Sequence, residues 1–209
     1  MQFAKAILNL VFPPRCEVCK SLGPEAFCLK CRAQIAYLKP SAFVHSVGIY
    51  EKSLQKAIHK FKYKRKTSLV QPLGEIMAKY IRNTIDISRL DYFIPVPLHN
   101  KRFHERGFNQ SDLLSNELSH NFGIPTMGGI LCRTKHTKPQ FDLHPKDRLA
   151  NIRGAFSVRG PQHITGKRLM LIDDIYTTGA TVSECTRVLK ESGADQVHIL
   201  TLSRALTLC

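Results

Sequence analysis

The chain of 209 residues is predicted to adopt an α/β fold built on a parallel sheet, preceded by a small cysteine-rich module. Two observations give this prediction. Beyond residue 43, short apolar segments alternate with segments of helical periodicity, the pattern of strands joined by crossover helices. Before residue 41, four cysteines fall within sixteen consecutive residues. The length suits one ordinary domain plus an appendage, which we place at residues 41–209 and 1–40.

The α/β segment opens with a strand at residues 44–50. The i, i+3, i+4, i+7 spacing of Leu54, Ala57, Ile58 and Phe61 then predicts an amphipathic helix. A second helix is expected at 69–81, a buried strand at 92–96, a polar loop at 98–109 and a helix at 110–121. The later strands are expected at 130–133, 155–158, 169–172 and 196–202, with a helix at 181–192 closed by Gly193 and a long polar loop at 134–153.

The charge of the chain favours a polyanionic partner. Lysine and arginine total 31 against 16 aspartates and glutamates, giving a formal net charge of +15, although such charge also occurs as a solubilising surface. One basic segment surrounds Phe61 and Tyr63 and consists of Lys60, Lys62, Lys64, Arg65 and Lys66. Cations interleaved with aromatic rings are typical of surfaces that bind single strands. We expect Phe61 in the core and Tyr63 stacking on bases, with Arg102 and Arg106 extending the surface; the alternative is a solvated helix end.

The four clustered cysteines form two C-x-x-C pairs, Cys16 with Cys19 and Cys28 with Cys31. This spacing predicts a structural Zn²⁺ site with four thiolate ligands, and the alternatives are two disulfides or a redox pair. Residues 1–14 are apolar but too short to span a bilayer, and they lack a cleavage site for secretion. We therefore expect a cytoplasmic protein with reduced thiols, whose N-terminal helix caps the core or attaches peripherally to the inner membrane. Three further cysteines are expected to be small buried or terminal residues: Cys132, Cys185 and Cys209.

The segment 169–181 carries the strongest chemical signal. An apolar strand runs into Asp173 and Asp174, then into a hydroxyl-rich loop and a helix start. Adjacent carboxylates can accept hydrogen bonds from a ribose diol and orient Mg²⁺ towards a diphosphate. The loop can hold a phosphate with hydroxyls and backbone N–H groups, and its residues are Thr177, Thr178, Gly179, Ala180 and Thr181. A helix cap, a receiver-type metal site or an ordinary turn are the alternatives.

Two common classes of nucleotide-binding protein are excluded because their motifs are absent from the sequence. Neither G-x-x-x-x-G-K-[ST] nor G-x-G-x-x-G occurs in the sequence, which argues against P-loop hydrolysis and Rossmann dinucleotide binding. The combination L-M-L-I-D-D-I-Y-T-T-G-A-T at 169–181 instead resembles the type I phosphoribosyltransferase signature. With the paired cysteines, I-P-V-P-L-H at 94–99 and R-G-F-N-Q at 106–110, nearly the whole chain resembles the ComF family of competence proteins.

The resemblance implies a zinc module on a phosphoribosyltransferase fold, a role in handling DNA during natural transformation, and an ATP-driven uptake motor as partner. It assigns Asp173 and Asp174 to the ribose, where they would act as the catalytic acids, and 177–181 to the 5′-phosphate. Residues 98–109, with Arg102 and Arg106, would face the pyrophosphate, and 134–148 would match a mobile loop. Two hypotheses follow. One is a protein that binds single-stranded DNA and phosphoribosyl diphosphate; the other is a working transferase that delivers ribose 5-phosphate to a base or ammonia.

Overall fold

The computed structural model describes residues 13–135 and 152–206. The predicted N-terminal helix, the greater part of the 134–153 loop and Cys209 lie outside these residues. The strands are β1 (Val44–Ile49), β2 (Tyr92–Pro95), β3 (Leu131–Arg133), β4 (Phe156–Val158), β5 (Arg168–Tyr176) and β6 (Gln196–Arg204). The helices are α1 (Leu29–Arg32), α2 (Lys52–Tyr63), α3 (Val70–Thr84), α4 (Asn100–Arg106), α5 (Gln110–Phe122) and α6 (Ala180–Glu191). Single 3₁₀ turns cover Thr67–Leu69 and Pro161–His163.

The main sheet has four strands in the order β1-β6-β5-β2, and every pairing in it is parallel. Its register places Ile172 beside Pro95 on one side and beside Leu200 on the other. The predicted parallel α/β sheet is therefore confirmed. Strands β3 and β4 depart from the predicted alternation, because they pair with each other as a separate antiparallel sheet.

Apolar side chains pack on both faces of the sheet. Along β5, Met170 and Ile172 join the core beneath α2, α3 and α5, whereas Leu169 and Leu171 join the core beneath α6. This alternation follows from the two-residue period of a strand. A strand buried on both faces requires a continuous apolar segment, which explains why residues 169–172 were recognisable in the sequence.

Two boundaries near the carboxyl edge of the sheet differ from the prediction. The expected polar loop at 98–109 contains helix α4, which begins where the His99 imidazole accepts from the N–H of Lys101 and ends at Gly107 with φ +82°. Strand β5 runs through the two acids to Tyr176, since β6 continues alongside it and pairs Asp173 with Thr201. The acids thus belong to the end of a strand rather than to a loop.

The cysteine-rich module packs directly on the α/β unit. Cys16, Phe27 and Cys31 share one apolar core with α2 and α3. Polar contacts reinforce the junction, because the Ser53 hydroxyl donates to the carbonyl of Cys31 at 2.7 Å and Arg32 pairs with Glu75 at 3.1 Å. Within the described residues, no helix combines the length and apolarity needed to cross a bilayer.

Candidate functional site

A cavity of about 530 Å³ opens at the carboxyl edge of the parallel sheet. Residues at or just beyond the ends of all four strands line it, among them Tyr50, Pro97, Asp173 and Ala205. Open parallel sheets bind ligands at this edge because loops from several strands converge there. The cavity is therefore the candidate functional site, and we call it the edge pocket.

The two acids that line the edge pocket make different contacts. The Asp173 Oδ1 atom accepts from the Ser111 hydroxyl at 3.2 Å and from the backbone N–H of Asp174 at 2.9 Å. The Asp174 Oδ1 atom lies 2.8 Å from the Lys62 ammonium, and both side chains are largely buried, with 8% and 15% exposure. This ion pair connects the end of α2 to the end of β5.

Burial and the neighbouring charge of Asp174 raise the pKa of Asp173 from an ordinary value of 3.8 to about 7, against the opposing effect of Lys62. The two carboxylates repel each other because they are adjacent and poorly solvated. A cation that approaches the pair is therefore stabilised. Carboxylate oxygens are the donors that Mg²⁺ prefers, so the pair fits that metal chemically, although Lys62 already contacts Asp174.

The loop after β5 has the features of a phosphate site. Gly179 adopts φ +80°, and a Cβ atom there would collide with the Tyr176 hydroxyl, so this position requires glycine. Thr177 and Thr181 line the edge pocket. The Thr178 Oγ1 atom is buried and has no hydrogen-bond partner in the described part of the chain. Since α6 begins at Ala180, the positive end of its dipole favours an anion at this loop.

Three arginines contribute to the wall of the edge pocket. Arg102 and Arg106 from α4 and Arg133 from β3 line it. The Arg106 guanidinium donates to the Gln110 Oε1 atom at 2.8 Å and lies over the Tyr63 ring, 5.3 Å from its centroid. Four cations and two acids line the pocket among the described residues, which leaves an excess of two positive charges. The predicted pyrophosphate segment therefore lies where an anion would be attracted.

The R-G-F-N-Q motif positions Ser111 beside the acid pair through the hydrogen bonds of Asn109. Asn109 caps α5 by accepting from the N–H of Ser111, and its amide donates to the carbonyl of Val96 at 3.0 Å. Ser111 is thereby held where its hydroxyl reaches Asp173. The motif thus links the end of β2 to the acid pair.

The basic segment is divided between three places. Lys60 donates to the carbonyl of Glu17, and Lys66 pairs with the Glu17 carboxylate at 3.2 Å, so both contact the cysteine-rich module. Lys62 contacts Asp174 inside the edge pocket. The remaining three residues are exposed, and we call them the α2 rim: Tyr63, Lys64 and Arg65. Of these, Tyr63 also lines the edge pocket. The predicted burial of Phe61 is confirmed at 0% exposure.

The four clustered cysteines converge on one point. Their Sγ atoms lie within 4.8 Å of one another, with Cys16 and Cys31 3.9 Å apart and Cys19 and Cys28 3.6 Å apart. Zn–S bonds of about 2.3 Å in a tetrahedron require sulfurs about 3.8 Å apart, whereas a disulfide requires about 2.05 Å. The cluster therefore fits a tetrahedral metal such as zinc. A hydrogen bond from Ser21 helps lower the pKa of Cys19 to about 6, which favours its thiolate.

Three residues of the edge pocket have contacts that were not predicted from the sequence. Ser111 orients Asp173, Arg133 lines the pocket from β3, and Lys62 contacts Asp174. Only Lys62 carried a sequence signal, because it directly follows Phe61 on the border of the buried face of α2. Its partner on β5 is distant in sequence, so periodicity alone could not identify the contact.

The fold is that of a phosphoribosyltransferase-like protein with an N-terminal four-cysteine cluster. It is defined by the parallel sheet, the strand that carries the acid pair, the hydroxyl-rich loop after it and the following helix. No protein-family model matches the chain. The chain is 34% identical over 163 residues to competence protein F of Haemophilus influenzae, covering 76% of this chain and 71% of that relative. DNA utilization protein YhgH of Salmonella typhimurium is 31% identical over 164 residues, covering 77% and 71%. The chain therefore belongs to the competence protein F family, and the resemblance to ComF is confirmed.

Among solved structures, glutamine phosphoribosylpyrophosphate amidotransferase from B. subtilis, complexed with ADP and GMP, aligns with a TM-score of 0.45 and 19% identity. The alignment covers 68% of this chain and 30% of the amidotransferase. The assignment of fold class therefore depends on the sheet topology and the order of elements around the acid pair rather than on this alignment.

Proposed function

We propose that this chain binds single-stranded DNA for competence or DNA utilization and binds phosphoribosyl diphosphate in the edge pocket. The observation that supports the proposal is that one cavity contains an acid pair, a hydroxyl-rich loop and an excess of cations. The exposed α2 rim adjoins this cavity through Tyr63. The names of the relatives support a role with DNA.

Each part of phosphoribosyl diphosphate has a chemically matched side of the pocket. The ribose diol would donate to Asp173 and Asp174, which are hydrogen-bond acceptors when ionised. The 5′-phosphate would meet the loop 177–181 at the start of α6. The diphosphate would face Arg102 and Arg106, whose planar guanidinium groups suit phosphate oxygens. Mg²⁺ commonly accompanies phosphate ligands, and the Asp173 carboxylate is the donor that would face it.

The α2 rim is the proposed contact for DNA. Tyr63, the last residue of α2, is 52% exposed, and the exposed residues Lys64 and Arg65 follow it just beyond the helix. Aromatic rings between cations bind single strands with little sequence preference, because every base can stack and every nucleotide carries a phosphate. Lys60, Lys62 and Lys66 have acidic or carbonyl partners elsewhere in the molecule, and Arg65 donates to the carbonyl of Glu105 at 2.8 Å. The surface available to DNA is therefore smaller than the sequence alone indicated.

The DNA part is tested by fluorescence anisotropy of a labelled single-stranded oligonucleotide across a salt series. Reversing Lys64 and Arg65 to glutamate should weaken binding and make the slope of log affinity against log salt shallower by about 1.4, from roughly 0.7 per phosphate contact. The matched control reverses Lys79 on α3 and Arg89 near the amino ends of β5 and β6. Equal losses in both double variants would mean that only net charge matters, which would contradict a localised DNA surface.

Transferase activity is the second candidate function. It is favoured because the acid pair at the end of β5 is followed by a hydroxyl-rich loop and then by α6, which is the order expected of a phosphoribosyl site. In such a reaction a base or ammonia nitrogen bonds to C1 of the ribose while the bond to pyrophosphate breaks. Steady-state pyrophosphate release should then depend on an added acceptor. Phosphoribosyl diphosphate binding without turnover, across nucleobases and ammonia, would favour the first function.

A further inference from the structure

Helix α4 buries none of its seven side chains. Its charged residues are three cations and one acid: Lys101, Arg102, Arg106 and Glu105. Phe103, at the middle of the helix, is 45% exposed. Most helices in globular proteins are stabilised by packing of an apolar face, and α4 has no such face. An exposed ring among cations, on a helix that adds nothing to the core, indicates a surface that binds a ligand.

Helix α4 contacts the α2 rim directly. The Arg65 guanidinium donates to the carbonyl of Glu105 at 2.8 Å, and the Arg106 guanidinium lies over the Tyr63 ring, 5.3 Å from its centroid. Phe103 precedes Arg106 by three residues, and residues at this spacing are neighbours on the surface of a helix. Phe103 therefore lies about one helical turn from the cation that contacts Tyr63.

A second cavity, of about 420 Å³, lies on the other side of α4, and we call it the α4 cavity. Phe103 lines it, together with Arg133 from β3 and Arg159 just after β4. Arg159 is exposed. Asp112 is the one acid in the lining among the described residues, and burial raises the pKa of its carboxyl. Two arginines against one acid give the α4 cavity an excess of positive charge.

The two exposed rings and the cations around them match the chemistry of a single strand. A base can stack on each ring, and each nucleotide brings a phosphate that a nearby cation attracts. Arg65 and Arg106 lie where α2 meets α4, and Arg159 lies beyond Phe103 at the α4 cavity. Rings and cations thus continue from the α2 rim across α4.

We infer that the surface for single-stranded DNA extends from the α2 rim across α4 to the α4 cavity, with Phe103 as a second stacking residue and Arg159 as a phosphate contact. This inference rests on the proposed function and deepens it, because it gives the direction in which the strand leaves Tyr63.

The test is anisotropy titration of a labelled single-stranded oligonucleotide across a salt series. Phe103→Ala and Phe103→Leu remove the ring, Phe103→Tyr keeps it, and Arg159→Ala removes the cation. Phe43→Ala is the matched aromatic control, because Phe43 is 61% exposed and directly precedes β1 at the opposite edge of the sheet. Arg89→Ala, near the amino ends of β5 and β6, is the matched control for charge. Melting temperatures establish that each variant is folded.

Phe103→Ala and Phe103→Leu should raise the dissociation constant roughly 5- to 150-fold, as for loss of one stacked base, with the salt slope and melting temperature unchanged. Phe103→Tyr should bind nearly as wild type. Arg159→Ala should make the slope of log affinity against log salt shallower by about 0.7. Both control variants should bind more tightly than their matched variants at Phe103 and Arg159.

The inference alone is overturned if the wild type binds and reversal of Lys64 and Arg65 weakens binding, while Phe103→Ala binds as tightly as wild type. It is also overturned if Phe103→Ala lowers the melting temperature, or if the control variants lose as much affinity as the variants at Phe103 and Arg159. Absence of binding by the wild type would overturn the proposed DNA function itself, and this inference with it.

Discussion

Replacing Tyr63 by alanine separates a base-stacking role from a structural one. The ring is 52% exposed, and its aromatic and cationic neighbours are His59 at 4.9 Å and the Arg106 guanidinium at 5.3 Å. An exposed cation–π contact is worth about 0.5–1 kcal/mol, so the melting temperature should change little. Phe61, two residues earlier, is fully buried, and Phe61→Ala should cost about 3–5 kcal/mol of stability.

The expected loss in DNA affinity is larger than the loss in stability. Stacking of one base on an aromatic side chain contributes about 1–3 kcal/mol. Loss of that contribution raises the dissociation constant roughly 5- to 150-fold. Anisotropy titration of a single-stranded oligonucleotide with wild type, Tyr63→Ala and Tyr63→Phe measures this directly. Tyr63→Phe keeps the ring and should bind nearly as wild type.

Two outcomes would refute this reasoning. If Tyr63→Ala binds the oligonucleotide as tightly as wild type, the rim acts through charge alone and no base stacks on the ring. If its melting temperature falls as far as that of Phe61→Ala, Tyr63 is a structural residue and its loss of binding would carry no information on stacking.

Three further predictions concern the metal cluster and the edge pocket. Cys28→Ser removes one of four converging thiols and should abolish zinc binding and unfold the cysteine-rich module, whereas wild type should carry about one zinc per chain by metal analysis; two disulfides by thiol titration would contradict this. Because the pKa of Asp173 is raised from 3.8 to about 7 in the folded protein, the folded state binds this proton more tightly than the unfolded state, and ionisation costs stability progressively as the pH rises from about 4 to about 7. Asp173→Asn should therefore gain stability relative to wild type as the pH rises from about 4 to about 7 in denaturant titrations, with no further gain above that range, and a constant difference across the range would argue against the raised pKa. Thr178→Val should leave the melting temperature unchanged, because Oγ1 lacks a partner among the described residues, but weaken phosphoribosyl diphosphate roughly tenfold in calorimetry; unchanged affinity would remove Thr178 from the phosphate site.

The features predicted correctly from sequence are those with local signals. The strand at 169–172 is a continuous apolar segment, and the cysteine pairs lie so close in sequence that their convergence requires only one short module. Helix α4 was missed because its seven residues contain no buried side chain, so no hydrophobic period marks it.

The remaining features depend on tertiary structure. The extension of β5 through Asp173 and Asp174 follows from pairing with β6, and the antiparallel pairing of β3 with β4 joins two segments that are well separated in sequence. The division of the basic segment has the same origin, since Lys60 and Lys62 meet Glu17 and Asp174 only after α2 has docked. A charge pattern identifies a basic segment, but it does not reveal which cations have acidic partners in the fold.

The central claim is that the acid pair at the end of β5 holds the ribose of phosphoribosyl diphosphate. Calorimetric titration of this ligand into wild type and into the double variant Asp173→Asn, Asp174→Asn tests it most directly, with thermal melts to establish folding. We expect binding to the wild type and loss of measurable binding to the double variant, because the amides carry no charge and no longer hold the Lys62 ammonium. Equal affinity of the two folded proteins would contradict the assignment of the edge pocket.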